Sequence, residues 1–103
     1  MARTTIRLNC NNPQESYKIV ESILISNKYK NINENNENVW KCGNGFWTAM
    51  KYIKVEFSEN NTLLLSGWIR AMGGSEQNLE GFVGAVPKKQ IMDVLKQIQT
   101  RIN

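Results

Sequence analysis

The strongest constraint on the fold is a run of alternating residues at positions 50–57, MKYIKVEF. One face of this run carries three apolar residues, Ile53, Val55 and Phe57. Because successive side chains of a β-strand point to opposite faces, this alternation predicts a strand with one buried face. Residues 58–62 contain an Asn-Asn pair and predict a turn into a second strand at residues 63–71. Consecutive strands joined by a tight turn predict an antiparallel sheet.

The facing of the strand at residues 63–71 is ambiguous, because three consecutive leucines lie at its start. We predict that Leu63, Leu65 and Ile69 point into the core. This choice leaves Arg70 in solvent, on the same face as Trp68. It also places Gly67 in the core layer, where a glycine lets a helix or a neighbouring chain approach closely.

Two amphipathic segments predict helices. In the first, Asn12 can cap a helix whose first residue is Pro13 and whose end lies near Asn27. Its apolar stripe consists of Tyr17, Val20, Ile23 and Leu24, with Ile19 beside them. The second helix begins at Pro87, and its apolar face consists of Ile91, Val94, Leu95, Ile98 and Ile102.

The remaining segments predict further strands. These are residues 4–9, 29–33, 39–42 and, as a last short strand, 81–86, whereas residues 72–80 are typical of a loop. The element order is therefore β-α-β-β-β-β-(β)-α. We predict a single domain, residues 1–103, with a two-layer α+β fold. Two helices pack against one face of an antiparallel sheet of about four to six strands.

The composition disfavours catalysis. The chain has no histidine and a single aspartate, Asp93, and its glutamates are scattered among polar neighbours. Cys42 has no histidine to activate its thiol, so we expect no enzyme activity and no cofactor. Two distant cysteines without histidine also make a zinc site improbable, and we expect no metal. Without a signal-peptide pattern we expect a cytoplasmic protein with free thiols at Cys10 and Cys42, and no apolar run is long enough to span a membrane.

The positive charge is mild, at +4 from 13 Lys+Arg against 9 Asp+Glu. It permits nucleic acid or another anionic ligand without requiring either. Aromatic residues interleaved with basic ones are typical of surfaces that stack on bases, and Trp and Tyr are also favoured at protein interfaces. The start of the last helix carries two lysines where an anion could bind. The candidate binding residues are therefore Trp40, Trp47, Trp68, Arg70, Lys88 and Lys89, with Lys54 as a further basic residue.

The stretch VWKCGNGFW, residues 39–47, holds two of these tryptophans. Residues 39–42 predict one arm of a hairpin, and the glycines at 43–45 interrupt it. The role of this corner depends on whether Trp40 and Trp47 point into the core or out of it. Buried tryptophans would be ordinary sheet residues, whereas exposed ones would form a ligand surface.

Several segments resemble a family of small uncharacterised bacterial domains. The matching segments are ENVWK at residues 37–41, GNG at 43–45, YIK at 52–54 and GFVGAVPKK at 81–89. SGWIR at residues 66–70 stands where the family has an aromatic strand similar to EAWIK. The resemblance covers most of the chain from about Tyr29 onward. It implies a defined α+β fold but no chemistry, because the family has no assigned function.

These observations favour a non-enzymatic binding or protein-interaction module that uses a sheet face or the glycine-rich loops. The partner would be another protein or a second copy of the chain. The alternative is a protein that binds nucleic acid or an anionic ligand through its Lys, Arg and aromatic residues. An enzyme or redox protein centred on Cys42 is the least favoured hypothesis.

Overall fold

The structure is a computed structural model that describes residues 3–43, 50–59, 61–70, 76–77 and 85–102. In chain order its elements are β1 Thr4–Asn9, α1 Pro13–Ser26, β2 Lys30–Glu34, β3 Glu37–Cys42, β4 Met50–Ser58, β5 Thr62–Arg70, β6 Glu76–Gln77 and α2 Ala85–Ile102. The predicted α+β fold, one antiparallel sheet with two helices, is confirmed.

Three local predictions differ from this result or lie outside it. The two residues of β6 fall in a segment predicted as a loop. The last predicted strand, residues 81–86, lies outside the described residues except for Ala85 and Val86. These two residues already belong to α2, so the helix begins two residues before Pro87. The backbone N–H groups of the first helical turn have no partner within the helix, so proline, which lacks an N–H, is compatible with this position.

The main path of the sheet has the order β1-β5-β4-β3-β2, and every pairing in it is antiparallel. The four strands from β2 to β5 form a meander. Helix α1 connects β1 at one end of the sheet to β2 at the other, and β6 pairs with the end of β5. Neither described helix is long and apolar enough to cross a membrane.

The first helix begins as the sequence predicts. The Asn12 side chain accepts a hydrogen bond from the Glu15 backbone N–H at 3.2 Å, and Pro13 occupies the first turn. The helix ends at Asn27, whose N–H reaches carbonyls of the last turn. Lys28 follows with a φ of 70°, the left-handed conformation that commonly terminates a helix.

The main core lies between the helices and one face of the sheet. Its buried residues include Leu8, Val20, Leu24, Trp40, Ile53, Leu63, Leu65, Ile69, Ile91, Leu95 and Ile98. The predicted facing of β5 is therefore confirmed, since its alternate residues Leu63, Leu65 and Ile69 are buried beneath the helices. Gly67 is buried in the same row, where the absence of a side chain leaves room for close packing.

A second, smaller cluster lies on the opposite face of the sheet. Val39, Tyr52 and Trp68 are buried there, with Ile32 and Met50 packed against them. The Tyr52 and Trp68 rings are stacked, with centroids 5.3 Å apart and planes within 2° of parallel. Trp68 thus lies on the predicted face, away from the helices, but it is covered rather than exposed to solvent.

The β2–β3 hairpin has a two-residue turn. Asn35 and Asn36 have φ values of 53° and 64°, as the hairpin turn with two left-handed residues requires. Asparagine tolerates this conformation better than most residues do. The turn sets the register, in which Glu34 lies opposite Glu37 and Lys30 lies opposite Lys41.

Candidate functional site

The two described tryptophans do not form a ligand surface. Trp40 is 4 % exposed and belongs to the main core. Trp68 is 2 % exposed and lies in the cluster on the other face. Trp47 and the glycine-rich loop at residues 73–74 lie outside the described residues. The structure therefore separates Trp40 and Trp68 onto opposite faces of the sheet.

The predicted basic residues are also separated. Arg70 lies on the face of Trp68, with an Nη1 atom 3.7 Å from a carboxylate oxygen of Glu34. Lys88 is 5 % exposed in the first turn of α2, whereas its neighbour Lys89 is exposed to solvent. Arg70, Lys54 and Trp68 are the candidates that the structure brings to one face, and all three take part in interactions within the protein.

Ion pairs connect different strands across the face of the sheet that carries Trp68. The Arg3 guanidinium lies over the Trp68 ring, 3.7 Å from its centroid, and donates two hydrogen bonds of 2.9 Å to the Glu37 carboxylate. Lys54 donates a third hydrogen bond to Glu37, also at 2.9 Å. The hydrogen bonds from Arg3 and Lys54 lower the pKa of Glu37 from 4.5 to about 2.

These contacts connect strands that are not neighbours in the sheet. Strands β5 and β4 lie between β1 and β3. Backbone positions directly across from each other on β1 and β3 would therefore be about 14 Å apart in a flat sheet. The pair between Arg70 on β5 and Glu34 on β2 spans a similar separation. Both pairs connect the turn end of the β2–β3 hairpin to arginines at the other side of the Trp68 face. This arrangement stabilises the fold and leaves no open stacking platform at Trp68.

A different set of basic residues lines an open cavity of about 390 Å³ at the other end of the hairpin. We call it the lysine pocket, and its lining residues are Lys28, Lys30, Ile32, Lys41 and Gly43. Lys28 follows the end of α1, Lys30 begins β2, and Lys41 lies near the end of β3. Three lysines, from the end of α1 and from both strands of the hairpin, therefore line one concave surface.

The charges of the lysine pocket are only partly compensated. Lys30 and Lys41 are directly opposite each other in the β2–β3 register, and like charges in such a pair repel. Lys41 is 3.6 Å from the Glu34 carboxylate, which Arg70 also approaches. Within the described part of the chain, Lys28 and Lys30 form no ion pair. The pocket thus has a positive surplus that an anion would neutralise.

The backbone of Lys28 adds a second cost at the same place. Its φ of 70° lies in the left-handed region, where a residue with a Cβ is less stable than glycine. Glycine is the residue most often found after a helix end of this kind. The chain instead carries a lysine there. Two destabilising features, the Lys30–Lys41 pair and the left-handed Lys28, therefore meet at one cavity.

Sequence reasoning missed this pocket, although its signal was present. The hairpin was predicted, with its asparagine-rich turn at residues 34–36, but the register of its two strands was not. Once Asn35 and Asn36 are fixed as the turn, counting back along both strands places Lys30 opposite Lys41. The contribution of Lys28 depends on where α1 ends in space, which the sequence does not specify.

Two further cavities, besides one of about 430 Å³ beside Asp93, Lys96 and Arg101 of α2, are less informative. One of about 310 Å³ is lined by Tyr29, by Lys51 of β4, by Asp93 of α2 and by neighbouring polar residues. The Tyr29 hydroxyl is buried and has no hydrogen-bond partner among the described residues, and burial raises its pKa. The other is a shallow apolar groove beside Tyr17 and Phe57, whose rings are 6.2 Å apart. In the described segments, no cluster of His, Cys, Asp or Glu is suited to hold a metal ion.

Comparison with known proteins adds no assignment. No protein-family model, no curated protein and no solved structure matches this chain. The resemblance to small bacterial domains therefore stays a prediction, and the functional argument depends on the geometry of the lysine pocket.

Proposed function

We propose that this protein is a non-enzymatic binding module whose ligand is a small anion held in the lysine pocket. The observation that carries the proposal is the convergence of Lys28, Lys30 and Lys41 on one cavity, where among the described residues Lys41 alone forms an ion pair, with Glu34. An anion between the lysines would relieve the repulsion of the directly opposed pair. The proposal keeps the anionic-ligand alternative from the sequence and moves it from Lys88 and Lys89 to a different set of lysines.

The chemistry of the pocket favours phosphate or carboxylate groups. Each lysine offers a compact charge with three N–H donors on a flexible stem, so several of them can adapt to one oxyanion. Ile32 is half-buried and gives the cavity one apolar wall. A cavity of about 390 Å³ has the size of a small-molecule site, so we propose a small phosphorylated or carboxylated ligand with an apolar part.

The non-enzymatic part of the proposal is supported by composition. The chain has no histidine and one aspartate, Asp93, which lies at another cavity. The cysteines are free, Cys10 buried and Cys42 half-buried. Free thiols are typical of a reducing compartment, which supports the proposed cytoplasmic location.

The direct test is titration with pyrophosphate at about 50 mM salt, followed by heteronuclear NMR of the backbone amides. Binding in the lysine pocket should shift the resonances of Lys28, Lys30 and Lys41 together and should weaken as salt increases. Replacing Lys30 or Lys41 with Gln should reduce the affinity about fivefold to tenfold, the loss of roughly 1–1.4 kcal/mol for one exposed charge contact. Lys18→Gln, an exposed lysine on α1, is the matched control and should bind as the wild type does.

A short single-stranded oligonucleotide distinguishes the nucleic-acid alternative. A small-anion site should bind pyrophosphate and the oligonucleotide with similar, shallow salt dependence, since few phosphates contact the protein. Steep salt dependence with the oligonucleotide, and no shift at the lysine pocket with pyrophosphate, would favour nucleic acid. Resonance shifts centred on Lys88 and Lys89 instead of the lysine pocket would overturn the proposed site.

A further inference from the structure

Strand β2 is an exposed edge of the sheet whose outward backbone groups can be identified from the hairpin. The residues that flank a two-residue turn exchange both of their backbone hydrogen bonds, so Glu34 is bonded to Glu37. Because the pattern alternates, Lys30 and Ile32 also direct their backbone groups toward β3. The N–H and C=O groups of Asn31 and Asn33 therefore point outward, and both residues are exposed.

The sequence of this edge is complementary to itself. Residues 30–34 read KNINE, with a positive charge at one end, a negative charge at the other and an isoleucine at the centre. In an antiparallel pair of two copies centred on Ile32, Lys30 lies opposite the partner subunit's Glu34. Asn31 lies opposite the partner subunit's Asn33, and the two Ile32 residues lie opposite each other. No residue in this register meets a like charge.

We propose that two copies of this chain associate through antiparallel pairing of their β2 strands about a two-fold axis at Ile32. Such an interface is isologous, the arrangement that closes into a dimer and does not propagate. Asn31 and Asn33 of the two copies form two hydrogen-bonded pairs, which supply four backbone N–H···O bonds. The Ile32 residues form the non-hydrogen-bonded pair between them, where side chains approach most closely.

The charges on either side of the new contact support this register. In the monomer, the hairpin has a Lys–Lys pair at one end and a Glu–Glu pair at the other. In the dimer, each Lys–Lys pair lies beside the partner's Glu–Glu pair on the same face of one continuous sheet. An edge lysine commonly prevents strand pairing, but here each copy supplies a carboxylate opposite it. The repulsion within each hairpin is therefore offset between copies.

The other end of the sheet does not share this property. Strand β1, TTIRLN, has Arg7 as its only charged residue, so no antiparallel register with itself pairs opposite charges. Registers centred on Arg7 place two like charges opposite each other. The self-complementary edge is β2, and five residue pairs make a contact smaller than a standard interface, so we expect weak association.

Sedimentation velocity over protein concentrations up to about 1 mM tests the dimer, since a weak interface dissociates below that range. The wild type should show an increase in sedimentation coefficient with concentration. Asn33→Pro removes an outward N–H that the monomer does not use, and it should abolish the increase while leaving the circular dichroism spectrum unchanged. A wild type that remains monomeric throughout, or an Asn33→Pro variant that associates equally well, would overturn the proposal.

A charge exchange provides a second test that does not depend on proline. Lys30→Glu alone puts like charges opposite each other in the dimer and should raise its dissociation constant at least tenfold. Adding Glu34→Lys to this variant restores opposite charges and should restore association. Failure of the double variant to recover, with both variants folded, would contradict the register. Because this readout is association and not anion binding, its failure can be distinguished from a failure of the pyrophosphate titration.

Discussion

At the scale of single residues, Lys28 and Glu37 illustrate opposite uses of charge. Glu37 is held by Arg3 and Lys54 through three hydrogen bonds, and this satisfied carboxylate stabilises the fold. Lys28 forms no ion pair within the described residues and occupies a backbone conformation that glycine would adopt at lower cost. A residue whose removal would benefit stability is a better candidate for function than one that the fold requires.

The prediction for Lys28 is a gain in stability combined with a loss of binding. Lys28→Gly relieves the left-handed backbone and should raise the free energy of unfolding by about 0.5–1 kcal/mol, measured by urea denaturation. It should also weaken pyrophosphate binding, because one of three charges is lost. Lys96→Gly, the same change at an exposed position inside α2, should instead lower stability by about 1 kcal/mol. A destabilised Lys28→Gly variant would contradict the assignment of strain to this residue.

Glu37 predicts a specific dependence of stability on pH. Its pKa in the folded protein is about 2, below the ordinary value of 4.5, so folding favours its ionised form. The contribution is complete above about pH 4.5 and is lost as the pH falls toward 2. Glu37→Gln should lower the free energy of unfolding at pH 7 by up to about 1 kcal/mol, because solvent screens this partly exposed carboxylate, and should flatten the loss of stability between pH 4.5 and 2. Parallel unfolding curves for the two proteins across this range would argue against the Glu37 ion pairs.

At the scale of elements, the β2–β3 hairpin determines the site. Its turn fixes which residues face each other, so the lysine pocket and the self-complementary edge both depend on the positions of Asn35 and Asn36. Asparagine accepts the left-handed conformation, but glycine is preferred at the second position of such a turn. The hairpin is therefore not at its maximum stability.

Asn36→Gly should therefore stabilise the protein, by a few tenths of a kcal/mol up to about 1 kcal/mol. The measurement is the midpoint of thermal or urea unfolding. Asn38→Gly is the control, since that residue lies within β3, where glycine weakens a strand. Equal effects of the two substitutions would indicate that the turn has a different geometry.

The elements also show what the sequence could and could not predict. The facing of β5 was correct because the choice kept Arg70 out of the core, although Arg70 is half-buried and not in open solvent. The facing of Val39 and Trp40 could not be predicted from polarity. Both residues are apolar, and they lie on opposite faces of the sheet because they are adjacent in one strand. Burial of Trp68 could not be predicted, since its cover includes Arg3, 65 residues earlier in the chain and held there by Glu37. Periodicity determines the face of a side chain, and contacts distant in sequence determine whether that face is open.

At the scale of the whole molecule, the two proposals share Lys30. In the lysine pocket its ammonium contacts the anion, and in the dimer it contacts the partner subunit's Glu34. Two negative groups compete for one cation, so linkage requires that each binding event weaken the other. Pyrophosphate should therefore raise the dissociation constant of the dimer, measured by sedimentation at constant ionic strength.

Sodium chloride at the same ionic strength is the control for general screening, which weakens all exposed charge pairs. With both proposals correct, pyrophosphate should dissociate the dimer more strongly than chloride does. Equal effects of the two salts would show that anion binding and association do not share Lys30.

The position of β1 also determines when the sheet can be completed during synthesis. Its pairing partners are residues 62–67 of β5, so the first strand made has no neighbour until well over half of the chain has emerged. The β2–β3 hairpin, by contrast, joins residues close in sequence and can form early. We therefore expect the Arg3–Glu37 pair, which joins β1 to the β2–β3 hairpin, to form after the hairpin, so its loss should speed unfolding more than it slows folding.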